Sequence, residues 1–238
     1  MNQASVRSLV AAATFTGALA ASWPAHAVFI ATICNDIQCT GGDDVLVQDN
    51  AAGDSIPMVG AINFTTSAFG YTLVVSTSQS KPVVGSAAAP QLDLTFAATS
   101  AGAAGNLFLN VSDTDFVGSG AFNFTIGGTN SGVDGSVTGR AWGGTSNTAL
   151  LFSGANLISA LGPFTTPAYS GNTTGSFNAA VNPYSLTIGT QISRTAAGTS
   201  TGDLNLQVSA IPEPSTWALL LMGPALIGFV ARRRVGRH

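Results

Sequence analysis

The residues best suited to acid–base and nucleophilic chemistry sit at the two ends of this chain. Its histidines are His26 and His238, and its one glutamate is Glu213. Residues 28–210 hold neither type. Their acids are Asp36, Asp43, Asp44, Asp49, Asp54, Asp93, Asp113, Asp115, Asp134 and Asp203, set against Lys81, Arg140 and Arg194. This set removes Ser-His-Asp and Cys-His nucleophiles, histidine metal centres and an imidazole base. Paired aspartates remain, and such pairs serve glycoside hydrolysis or an aspartic dyad. Asp113 and Asp115 would share one strand face, but the run Ser112-Asp113-Thr114-Asp115 reads as a solvated turn. No catalytic residue is assigned, and the chain is expected not to be an enzyme.

Metal chemistry has one candidate. Asp36, Asp43, Asp44, Asp49 and Asp54 fall within 19 residues of glycine-containing sequence. Calcium takes six to eight oxygens from carboxylates and carbonyls, so Asp43, Asp44 and Asp49 are the candidate calcium ligands. EF-hand spacing and its closing glutamate are missing, which favours a solvated acidic loop and no cofactor. Cys34 and Cys39 precede this stretch. In an oxidising compartment they are expected to pair, and so small a loop gains about 2 kcal/mol from closure. Trp142, near Arg140 and beside Gly143-Gly144, is either a sugar-stacking ring or, more commonly for a lone tryptophan in a β domain, core.

The termini set the compartment. Arg7 and the apolar run from Leu9 to Ala21 lead to Pro24-Ala25-His26-Ala27. This is the pattern of a secretory signal peptide over residues 1–27, with Ala25 and Ala27 marking the signal peptidase site. At the other end, Trp217 to Ala231 carries no charge and runs for 15 residues, roughly 22 Å as a helix. With Ser215 and Thr216 it reaches the lower limit for a transmembrane helix, placed at 215–231. Trp217 is expected at one interface and Arg232, Arg233 and Arg234 at the other, in a basic tail of residues 232–238 that keeps the C-terminus cytoplasmic.

Pro212, Glu213 and Pro214, followed by this span and the arginine cluster, resemble a PEP-CTERM sorting signal, the tail of exported proteins of Gram-negative bacteria. The two prolines hold the motif extended and remove two backbone donors. The resemblance makes residues 211–238 the sorting signal and implies its recognition by an exosortase-like enzyme at the inner membrane, removal of the tail, and delivery to the cell surface or an exopolysaccharide matrix. It covers only the tail and implies nothing about what the body binds.

Residues 28–210 form the body, enough for one domain with its own core. Three bases against ten aspartates make it acidic, so a nucleic-acid footprint is absent. Leu92/Leu94/Phe96, Phe122/Phe124/Ile126, Tyr184/Leu186/Ile188 and Leu204/Leu206/Val208 alternate with polar residues, and Leu107/Leu109/Val111 keep the same spacing. Such a period of two marks strands with one buried face. Tyr71 to Val75 is a more continuous strand. Gly127-Gly128-Thr129-Asn130 and Asp134-Gly135 read as turns. The expected fold is all-β, an antiparallel β-sandwich, with a β-solenoid as the alternative. Residues 148–161 read equally as helix or strand pair, and 195–202 as a polar loop. The function that follows is a non-enzymatic surface or matrix protein; the alternative is a calcium- or glycan-binding adhesin module.

Overall fold

The computed structural model describes residues 27–117, 120–132, 134–152, 156–179 and 183–209. The expected signal peptide, with Ala25, and the expected sorting segment, with Pro212, Glu213, Pro214, Trp217 and Arg232 to Arg234, lie outside them. Among the described residues no helix is long and apolar enough to cross a membrane.

Among the described residues, twelve strands form two six-stranded sheets. The first runs β2 (Val45–Gln48), β1 (Ile30–Cys34), β6 (Gly105–Phe116), β11 (Tyr184–Arg194), β8 (Gly135–Gly144) and β9 (Leu157–Phe164). The second runs β10 (Ala168–Phe177), β7 (Gly120–Gly132), β12 (Gly198–Val208), β5 (Gln91–Ser100), β4 (Tyr71–Gln79) and β3 (Ala61–Ala68). Every pairing is antiparallel. The architecture is therefore a sandwich rather than a solenoid.

The alternation read from the sequence is what closes the two sheets on each other. Leu92, Leu94 and Phe96 of β5, Phe122, Phe124 and Ile126 of β7, and Leu204 and Leu206 of β12 face inward from the second sheet. Leu107, Leu109 and Val111 of β6 and Tyr184, Leu186 and Ile188 of β11 meet them from the first. Each large apolar side chain buried this way contributes about 1.5–3 kcal/mol.

Alternation breaks down at the centre of the first sheet. From Leu107 to Thr114 of β6 every residue is buried, and β11 is buried from Tyr184 to Thr190. Apart from Phe108, polar side chains occupy the outward positions of β6 there, and loops cover them. Leu150 N–H donates to Ser112 Oγ at 3.0 Å, and Ser185 Oγ donates to the Thr148 carbonyl at 2.6 Å. Asn110 Nδ2 lies 3.5 Å from Cys39 Sγ. Residues 148–152 are thus a covering loop, and the undecided stretch continues into strand β9.

Three further expectations change. Gly127-Gly128-Thr129-Asn130 is not a turn but lies within β7, where all four residues pair with β12. The 195–202 loop is a short turn at 195–197, because Gly198 to Gly202 already pair with both β5 and β7. Asp113 is not a solvated turn residue but a fully buried member of β6. The turn feature survives only at Asp115, whose φ of 62° is left-handed. Its backbone N–H donates to Asn147 Oδ1 at 2.8 Å, and Asn147 Nδ2 donates back to Asp115 Oδ1 at 2.7 Å.

Candidate functional site

Cys34 and Cys39 form the expected disulfide at the end of β1. The acidic residues that follow do not gather. Asp36 Oδ1 caps its own turn, accepting from Gln38 N–H at 2.8 Å. Asp49 Oδ2 accepts from Gly60 N–H at 2.8 Å, and Asp54 Oδ1 accepts from Ile56 N–H at 3.1 Å and Asn63 N–H at 3.0 Å. Asp43 and Asp44 precede β2 while Asp49 follows it, so the strand separates the proposed ligands. Neither Asp44 carboxylate oxygen reaches solvent. Its carboxyl is raised above the ordinary range by desolvation and then by Asp36, with the Gly41 N–H opposing. Among the described residues no group of three or more His, Cys, Asp or Glu side chains could hold a metal ion. The three aspartates therefore do not fit calcium as a set.

Trp142 is only 3% exposed. Its ring meets Phe152 edge-on, with centroids 5.4 Å apart and planes at 83°. The sugar-stacking reading fails here, because the covering loop supplies Phe152 to the ring and leaves no open face. Arg140 turns to Gln191, donating from Nη1 to Oε1 at 3.2 Å.

The outer face of the second sheet is a broad, partly exposed polar surface. Its outward positions fall in cross-strand rows. One row joins Asn172, Thr125, Asn205, Asp93 and Gln79; the next joins Thr174, Asn123, Gln207 and Gln91. A third joins Ser170, Gly127, Asp203 and Thr95. Amides and hydroxyls dominate because each strand places its polar alternate residues on this side. Hydroxyl pairs brace the face: Thr129 Oγ1 to Thr201 Oγ1 at 2.8 Å and Thr99 Oγ1 to Thr199 Oγ1 at 2.9 Å. A shallow groove of about 230 Å³ crosses it, lined by Thr95, Gly127, Gly128, Thr201, Gly202 and Asp203. Gly128 is required there, since a Cβ would collide with the Thr201 carbonyl.

The charges on this face are Asp93 and Asp203. Thr95 Oγ1 donates to Asp203 Oδ1 at 2.9 Å, and Asn205 Nδ2 donates to Asp93 Oδ1 at 3.4 Å. Burial first, and then the neighbouring Asp203 charge, push the Asp93 carboxyl up to about 6. Nothing in the local sequence joins the two aspartates. Only the β5–β12 register makes them diagonal neighbours.

Residues 210–234 match the PEP-CTERM protein-sorting motif. That motif implies export, a membrane-anchored sorting signal and processing by an exosortase-like enzyme. No curated protein matches the chain. Among solved structures, the enzymatically active domain of tailspike protein 4 from bacteriophage CBA120 aligns at 8% identity and a TM-score of 0.30, over 56% of this chain and 18% of that one. The PA14 sugar-binding domain of an RTX adhesin aligns at 12% identity and a TM-score of 0.24, over 42% and 46%. A carbohydrate-binding module of Cellvibrio mixtus lichenase 5A, solved with cellotriose, aligns at 14% identity and 0.26, over 67% and 95%. The chain spans less than two thirds of the first two. Superpositions this distant carry no argument about ligand or activity.

Proposed function

We propose that the chain is an exported, non-enzymatic surface or extracellular-matrix protein of a Gram-negative bacterium. The observation that carries this reading is the sorting motif at residues 210–234, which begins two residues after β12 ends at Val208. Signal peptidase removes residues 1–27. The tail then anchors the chain in the inner membrane with its C-terminus cytoplasmic, until an exosortase-like enzyme removes it and the sandwich passes to the surface. With almost no linker, the folded domain rests beside the bilayer before processing. The amide- and hydroxyl-rich outer face of the second sheet is the contact for exopolysaccharide, whose hydroxyls match such donors and acceptors without needing charge.

Fractionation of the producing cells tests the sorting. A species that starts at Val28, lacks everything beyond the Pro212-Glu213-Pro214 region and lies outside the inner membrane supports it. A species ending at His238 in the inner membrane reduces the tail to a plain anchor.

A glycan-binding adhesin is the second reading, favoured by the same face. A glycan array on the processed chain separates the two. Saturable binding to a defined oligosaccharide, lost in Asn172→Ala/Asn205→Ala with the melting temperature kept, marks an adhesin. Binding only to bulk polysaccharide marks a matrix protein.

A further inference from the structure

Lys81 is the single lysine between residues 28 and 210, and it points into the protein. Its side chain is 13% exposed and that of its partner, Asp113, is fully buried. Lys81 Nζ lies 2.7 Å from Asp113 Oδ2 and 4.0 Å from the centroid of the Phe116 ring. It also donates to the Thr114 carbonyl. The other groups around the carboxylate are equally well placed. Ser80 Oγ donates to Oδ2 at 2.5 Å, and the Thr114 N–H donates to Oδ1 at 2.7 Å. Lys81 follows β4 of the second sheet, whereas Asp113 belongs to β6 of the first.

A buried ion pair gives back much of its attraction as the cost of removing two charges from water. An amide between the same two groups carries no charge. We infer that Lys81 and Asp113 join in an intramolecular amide bond that covalently links the two sheets.

The step balances without oxidant, reductant or co-reactant. A proton passes from Nζ to Oδ2 along the 2.7 Å contact, leaving an amine beside a carboxylic acid. The nitrogen lone pair attacks Cγ, and the Cγ–Nζ bond forms. Negative charge gathers on Oδ1, where the Thr114 N–H already points, as a preorganised donor should. The Cγ–Oδ2 bond breaks, and Oδ2 leaves as water with two of the three original ammonium protons; the third stays on the amide nitrogen. Ser80 Oγ–H, which donates to Oδ2, steadies the departing oxygen. A cleft of about 330 Å³ lined by Lys81, Phe29, Asp49 and Val59 gives the water a way out. Condensation of an acid with an amine is unfavourable in dilute water. Holding the two in contact is worth an effective concentration of roughly 10⁵–10⁸ M, and burial of both side chains raises the cost of the ionic alternative.

The test is the intact mass of the full chain from its producing cells, with the disulfide reduced and both termini fixed by peptide sequencing. The expected mass is about 18 Da, one water, below the mass those termini require. Peptic digestion should then yield a branched peptide joining Lys81 to Asp113. Lys81→Arg, folded or not, must carry the full mass. A wild-type chain at full mass overturns the inference. So does a loss of water without the branched peptide, as from a succinimide at Asp134-Gly135.

Discussion

Asp93 and Asp203 stand diagonally across the β5–β12 pairing: Asp93 is opposite Asn205, and Asp203 is opposite Thr95. Two carboxylates are thereby held together on one half-exposed face, and Asp93 titrates at about 6 in place of the ordinary 3.8. The folded chain therefore binds a proton more tightly than the unfolded chain between these values. The sign follows: stability falls as pH rises through about 6 and is recovered on acidification toward 4. Asp44 and Asp49 are shifted in the same direction. The melting temperature should be higher at pH 5 than at pH 7.5. Asp93→Asn should flatten that dependence and stabilise the fold at pH 7.5 by on the order of 1 kcal/mol, solvent screening allowed for. A profile unchanged by the substitution would show that the pair is fully screened.

Arg194 is fully buried at the end of β11. Its guanidinium donates from Nη2 to the Ser131 carbonyl at 2.6 Å and from Nη1 to Ser200 Oγ at 3.0 Å. Ser200 Oγ in turn donates to Asn130 Oδ1 at 2.8 Å. One side chain thus ties the end of β7 to the β11–β12 hairpin. Arg194→Ala should cost about 3 kcal/mol, from buried acceptors left unsatisfied and a cavity left behind. Arg194→Lys should recover only part of it, because an ammonium cannot reproduce the planar fork. Urea denaturation of the three proteins measures both effects.

Trp142 packs against Phe152 and is closed to ligand. Trp142→Ala should destabilise the domain by about 3–5 kcal/mol. Trp142→Phe should leave any polysaccharide binding unchanged per folded molecule. Loss of binding in Trp142→Phe, with the melting temperature retained, would return the ring to the ligand surface.

Millimolar calcium should leave the melting temperature where EDTA leaves it, because Asp49 is committed to Gly60 and β2 separates it from Asp43 and Asp44. A rise with calcium that disappears in Asp43→Ala/Asp44→Ala would show that the acidic loop closes on the ion.

The strands at Tyr71, Leu92, Leu107, Phe122, Tyr184 and Leu204 were legible in the sequence because period-two alternation is local and reports one buried face directly. The same holds for the sorting motif, whose prolines, apolar run and arginines are contiguous, and for a disulfide five residues long. Which strands adjoin, and what covers them, depends on distant segments. Ser112-Asp113-Thr114-Asp115 looks like a solvated turn until Ser80 and Lys81 arrive from the other sheet. Trp142 looks open until Phe152 folds over it. Asp93 and Asp203 are 110 residues apart until β12 slots between β5 and β7. Residue types and their local spacing thus determined the sorting motif and the all-β class. Tertiary structure alone decided which polar groups meet, because a charge buried between sheets is set by register and packing, and neither is written in the neighbours along the chain.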